Sequence, residues 1–126
     1  MNKERILALA DLIEQQLHTT PSAPIGFTMS DYVHSCGTPA CIAGWAAWES
    51  ENQPDFLDWR QVDFKATKYL GLDQETSEKL FEPEGVSSWF EITPAHAAFT
   101  LRHLARAGVV DWAAYGRAAL MEKADA

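Results

Sequence analysis

The run Cys41-Ile42-Ala43-Gly44-Trp45-Ala46-Ala47-Trp48 constrains the fold more than any other stretch, because it is apolar on every side. A helix of that kind has no face to offer water, so the other elements must be arranged around it. Thr38-Pro39, just ahead of it, has the form of a helix start. The threonine hydroxyl can accept from a free first-turn N–H, and proline at the first helical position forfeits no hydrogen bond. This predicts a helix with Cys41 as its third residue and with Cys41, Trp45 and Trp48 on one face, at i, i+4 and i+7. Gly44 leaves room there for another backbone or ring to come close.

The remaining segments read as further helices. Ile6, Leu9, Ala10, Ile13 and Leu17 recur at helical spacing, which predicts an amphipathic helix over residues 3 to 18. A proline-bearing loop follows over Thr19 to Pro24, with Phe27 and Met29 tucked on the core and Ser30 opening a short turn. A helix from about Trp59 to Leu70 ends at Gly71, and Asp73 caps a shorter one that stops at Phe81-Glu82-Pro83. Thr93-Pro94 repeats the start signal and leads through Ala97, Leu101 and Leu104 to a stop at Gly108. Asp111 caps a last helix with Trp112, Tyr115 and Leu120 as its apolar side, frayed from about Glu122. No run alternates as a strand would. The expectation is a mainly α protein, a single compact helical domain over residues 1–126 with about five to seven helices.

At 126 residues the chain can bury a core without staples, and 47% apolar with 22% charged residues is ordinary globular composition. The net charge of −8 is more telling. It repels phosphate backbones and anionic membranes and favours a basic protein partner. The pair Phe64 to Lys79 has helix-turn-helix spacing, yet its second helix offers Gln74, Glu75, Glu78 and a single Lys79, a poor set for base edges and phosphates. Direct nucleic-acid binding is therefore not expected. The N-terminus lacks an apolar leader core and no run approaches the roughly 20 apolar residues of a membrane span. A cytoplasmic location and reduced cysteines are the corresponding expectations.

Four groups of residues could carry chemistry. Cys41, in a first helical turn, is placed where the helix dipole favours thiolate, and His96, His103 or His34 would have to serve as its base. Cys36, Cys41 and His34 together offer two thiolates and an imidazole, short of the four ligands of structural zinc, so neither a metal nor any other cofactor is expected. Trp45, Trp48 and Tyr69 could line an aromatic small-molecule pocket. Trp89 and Phe90, amid Glu82, Glu84 and Glu91, form an aromatic anchor ringed by charge, which suits a protein interface.

Cys36-Gly37-Thr38-Pro39-Ala40-Cys41-Ile42-Ala43-Gly44-Trp45, Ile92 to Ala98, Leu101 to Ala105 and Gly108 to Trp112 resemble a set of small uncharacterised proteins of bacteria and their phages. Tyr69 to Leu72 and Leu80 to Pro83 fit the same pattern. The resemblance implies no reaction and no catalytic residues. It implies an origin, that of a phage-associated accessory factor or inhibitor binding a host or defence component. The favoured reading is a non-enzymatic acidic interaction protein. A small-molecule-binding protein or sponge, and a Cys41-dependent hydrolase or transferase, are the alternatives.

Overall fold

The computed structural model describes residues 1–20 and 25–125, with side chains through Glu122. The described residues form six α-helices: α1 (Lys3–Glu14), α2 (Ile42–Ser50), α3 (Val62–Leu70), α4 (Gln74–Phe81), α5 (Pro94–Ala107) and α6 (Ala114–Asp125). Single 3-10 turns lie at Trp59–Gln61 and Trp89–Glu91. Isolated β-bridges pair His18 with Phe27 and Val33 with Pro39. The mainly α expectation holds, and no helix is long and apolar enough to cross a membrane.

The apolar run is the hub of the core. Ile42 to Ala47 are all buried within α2, which packs along α3, while α1 packs along α5. Gly44 serves the role its sequence context suggests. A Cβ built on it would lie 2.1 Å from the carbonyl oxygen of Tyr32, so the backbone of the preceding loop runs directly against the helix. Phe27 and Met29 are buried beside it.

Helix ends are closed by neighbours as well as by local caps. The start of α1 meets the end of α3: the Asn2 N–H donates to the Leu70 carbonyl at 2.8 Å, and Arg5 Nη1 donates to the Tyr69 carbonyl at 3.0 Å. Carbonyls that the last turn of α3 cannot satisfy internally thus find donors. Gly71 ends α3 in the left-handed region at φ 66°. Asp73 and Thr93 cap α4 and α5 through their side-chain oxygens. Arg102 of α5 reaches α1, donating to Glu14 Oε2 at 2.7 Å and Asp11 Oδ1 at 2.8 Å. With 36% of its side chain exposed, that network adds at most about 1 kcal/mol per pair.

Three sequence-based expectations are corrected. Thr38-Pro39 does not open α2. Its backbone is extended, with the Thr38 carbonyl accepting from His34 N–H at 2.9 Å and Ala40 N–H donating to Tyr32 at 3.1 Å; Cys41 is the cap, its Sγ accepting from Gly44 N–H at 3.5 Å. The first helix stops at Glu14 rather than residue 18, because Leu17 to Thr19 pair with Phe27 (Phe27 N–H to Leu17 carbonyl 2.7 Å), and Leu17 stands exposed. Asp111 bonds the Ala113 N–H at 3.1 Å, but α6 begins at Ala114, leaving Trp112 buried ahead of it and Leu120 exposed. α6 runs through Asp125. Of the loop over Thr19 to Pro24, residues 21–24 lie outside the described residues.

Candidate functional site

The helical hairpin α3–α4 turns tightly at Gly71, and its two helices then bound an open cleft of about 700 Å³. Why it opens follows from the two buried stripes. In α3, Val62, Ala66 and Leu70 face the core. Two residues on from Val62, Phe64 is rotated by about 200° to the other side and is 68% exposed at the cleft. In α4 the stripe is Ser77, Leu80 and Phe81. Ser77 and Phe81 also line the cleft, so its inner surface mixes one hydroxyl with one ring.

Charge in the cleft is mostly negative. Asp63, Glu78 and Glu82 line it against a single cation, Arg60. Arg60 is already occupied: its Nε and Nη2 hold the Asp58 carboxylate at 3.0 and 2.6 Å. Tyr32 closes one side, its hydroxyl donating to Asp63 Oδ2 at 3.1 Å. Burial, with Asp63 beside it, pushes the Tyr32 hydroxyl up to about 12, so it stays a donor at neutral pH. Ser77 is 3% exposed, and its shielded Oγ has no hydrogen-bond partner among the described residues.

Aromatic exposure gathers in the segment that leads into α3. Phe56, Trp59 and Phe64 are 67%, 65% and 68% exposed within nine residues of chain. A helix running from Trp59 is expected to bury that ring. The 3-10 turn at Trp59–Gln61 breaks the register and turns it outward.

The anchor expected at Trp89 and Phe90 sits on its own short turn. Both rings are partly exposed, and Glu82, Glu84 and Glu91 around them are exposed. The indole N–H of Trp89 donates to the Pro83 carbonyl at 2.9 Å, while Phe90 packs on the His18 ring with centroids 5.6 Å apart. Glu82 joins this turn to the cleft.

The cysteine arrangement differs from the catalytic expectation. Cys41 is 2% exposed, and burial pushes its thiol up to about 12 despite the N–H groups of the first turn. His96 is committed to the Trp112 carbonyl at 2.7 Å and stacks on Tyr115, and His34 to the Gly26 carbonyl at 2.6 Å. His103 is half-buried on α5. No base therefore faces a free Cys41 thiolate. Nor do Cys36, Cys41 and His34 converge: Cys36 is exposed while Cys41 is buried, and among the described residues no three His, Cys, Asp or Glu side chains could hold a metal ion.

The two thiols should separate cleanly in an alkylation experiment. A hydrogen bond with Thr38 Oγ1 at 3.3 Å holds the exposed Cys36 thiol below the ordinary range. With iodoacetamide at neutral pH, peptide mapping is expected to show label on Cys36 within minutes, and on Cys41 only after denaturation. Labelling of both at similar rates would contradict the burial of Cys41.

Trp45 and Trp48 do line a second cavity, of about 300 Å³, their rings edge to face at 5.2 Å. Tyr69 is not part of it. It lies at the end of α3, where Arg5 sits over its ring at 4.3 Å. The Trp48 N–H donates to the Pro54 carbonyl at 3.0 Å, whereas the buried Trp45 N–H has no partner among the described residues.

Sequence reasoning missed Tyr32, Asp63, Phe64 and Ser77. Two of them left a signal: Phe64, a phenylalanine opposite the apolar stripe of α3, and Ser77, a serine on the apolar stripe of α4. Fold and cleft together define an all-helical domain with an acidic, aromatic-edged groove. Comparison with protein-family models, with curated proteins and with solved structures returned no match.

Proposed function

We propose that this is a non-enzymatic binding protein of the cytoplasm that captures a more basic protein. The resemblance to phage and bacterial proteins makes a host or defence component the class of partner, and accessory factor or inhibitor the role. One observation carries the reading: three aromatic side chains about two-thirds exposed, Phe56, Trp59 and Phe64, lie within nine residues of chain, and Phe64 lines an acidic cleft. Large rings left outside a complete core, with charge around them, are the anchors of protein interfaces. Trp89 and Phe90, with Glu82, Glu84 and Glu91, offer a second aromatic and acidic patch.

Selection from a displayed random-peptide library tests this. Enriched peptides are expected to be net basic and to lose at least about tenfold in affinity on Trp59→Ala with Phe64→Ala; Trp89→Ala with Phe90→Ala should cost less. Peptides without basic bias, or binding indifferent to both pairs, would overturn the proposal.

A second reading rests on the smaller cavity, which Trp45 and Trp48 line. A small molecule with an apolar body would pack against the indoles there. Native mass spectrometry of the purified protein should then show a bound mass that Trp45→Phe removes. A clean apo mass after incubation with the metabolite extract of the expression host would dismiss it.

A further inference from the structure

The smaller cavity is lined by a narrow range of chemistry. Trp45 and Trp48, nearly one turn apart on α2, both line it, with centroids 5.2 Å apart and ring planes at 80°, so two aromatic planes meet there almost at a right angle. Pro39 and Pro54 add apolar wall. Among the described residues the lining holds no lysine, arginine or histidine. Its one charged group is Asp55, which has no ion pair among those residues. Asp55 directly follows Pro54, whose carbonyl accepts from the Trp48 N–H at 3.0 Å, so the carboxylate-bearing residue is tied beside that indole. Asp55 and Gln53 are exposed, which puts the mouth of the cavity on their side. Both side-chain amides of the lining are committed as donors within the chain, Gln16 to the Leu12 carbonyl at 3.0 Å and Gln53 to Glu49 Oε1 at 3.3 Å.

A ligand suited to such walls carries positive charge and asks for no hydrogen bonds. We propose that the cavity is an aromatic cage for a methylated ammonium group, its N-methyl groups packed against Trp45 and Trp48 and its charge answered by Asp55. The ring quadrupole attracts a cation, that of indole most strongly, and a quaternary ammonium spreads its charge over methyl groups that pack as hydrocarbon does. A primary ammonium brings three N–H donors that must give up water, which ring faces and proline walls do not replace. A neutral body of the same shape gains the packing and nothing from Asp55. The net charge of −8 raises the concentration of any small cation near the mouth. This inference rests on the small-molecule reading above and names the class of ligand.

The test is an NMR titration of the isotope-labelled full chain, read from the indole N–H resonances of Trp45 and Trp48, with four probes: choline, its neutral tert-butyl isostere in which carbon replaces the nitrogen, ethanolamine, and a blocked tripeptide with trimethyllysine at its centre. Choline is expected to shift both resonances saturably and to bind at least about tenfold more tightly than the isostere or ethanolamine. Asp55→Asn, at an exposed position with no ion pair to lose, should fold as the parent does, weaken choline about threefold or more and leave the isostere unchanged. Tighter binding of the trimethyllysine peptide than of choline would place the methylated group on a protein chain, and weaker binding would place it on a free small molecule; either result supports the cage. The isostere or ethanolamine binding as tightly as choline, choline shifting neither indole, or Asp55→Asn leaving choline unchanged would overturn the inference. If native mass spectrometry still shows a bound mass that Trp45→Phe removes while choline fails, only the methylated ammonium is wrong; if neither binds, the small-molecule reading fails with it.

Discussion

Gly44→Ala is expected to lower stability by about 3 kcal/mol or more, enough to leave much of a small domain unfolded. The added Cβ would lie 2.1 Å from the Tyr32 carbonyl oxygen, a backbone atom that cannot rotate aside. That carbonyl also accepts from Ala40 N–H at 3.1 Å, so moving it breaks the extended segment that carries Cys41 into α2. The better helix propensity of alanine returns only about 1 kcal/mol. Gly116, in α6, is the internal control: a Cβ there meets nothing within 4 Å, so Gly116→Ala should be neutral or stabilising. Urea denaturation of the two variants checks this, and a Gly44→Ala midpoint equal to the parent's would refute the close approach.

Trp112→Ala should be about as damaging, at about 4 kcal/mol. The ring is 5% exposed, packs edge to face on His96 at 5.4 Å, and donates its N–H to the Lys79 carbonyl at 2.9 Å. That last bond has a reason in the sequence of α4. The Lys79 carbonyl would ordinarily accept from the residue four positions on, and that residue is Pro83, which has no N–H. Trp112 therefore closes the end of α4 from a distance and fastens it to the start of α6. Trp112→Phe keeps most of the packing and should cost about 1 to 2 kcal/mol for the lost donor. A phenylalanine variant as stable as the parent would show that the indole N–H contributes nothing.

The distance-spanning indole is repeated in this chain. Trp48 reaches Pro54, Trp89 reaches Pro83 and Trp112 reaches Lys79, in each case N–H to carbonyl at about one hydrogen-bond length. Three of five tryptophans thus pin a loop or helix end, the buried Trp45 N–H has no partner among the described residues, and Trp59 is left for the surface. All five look alike in the sequence. Their different fates set which aromatic surface is available to a partner, and they shift the proposed anchor from Trp89 and Phe90 alone toward Trp59 and Phe64.

What the amino-acid order determines by itself is the set of helices. The apolar stripes of α1, α4 and α5, the left-handed stops at Gly71 and Gly108 and the caps at Asp73 and Thr93 all follow from local spacing and local hydrogen bonds. The tripeptide Thr-Pro-Ala shows where that ends. At Thr93 it opens a helix, with the hydroxyl accepting from His96 N–H at 3.1 Å. At Thr38 the same three residues are extended, because the backbone of Tyr32 to His34, together with Thr28, whose N–H donates to the Ala40 carbonyl at 3.0 Å, takes the bonds a helix would have used. A cap decides between conformations by about 1 kcal/mol, and several long-range backbone bonds around a buried hub outweigh it. The same competition buried Cys41 instead of activating it, and it brought Tyr32 across to Asp63 to wall a cleft whose parts are 31 and more residues apart in the chain. Local preference is written in adjacent residues; the cleft exists only once remote backbone segments have satisfied one another around α2.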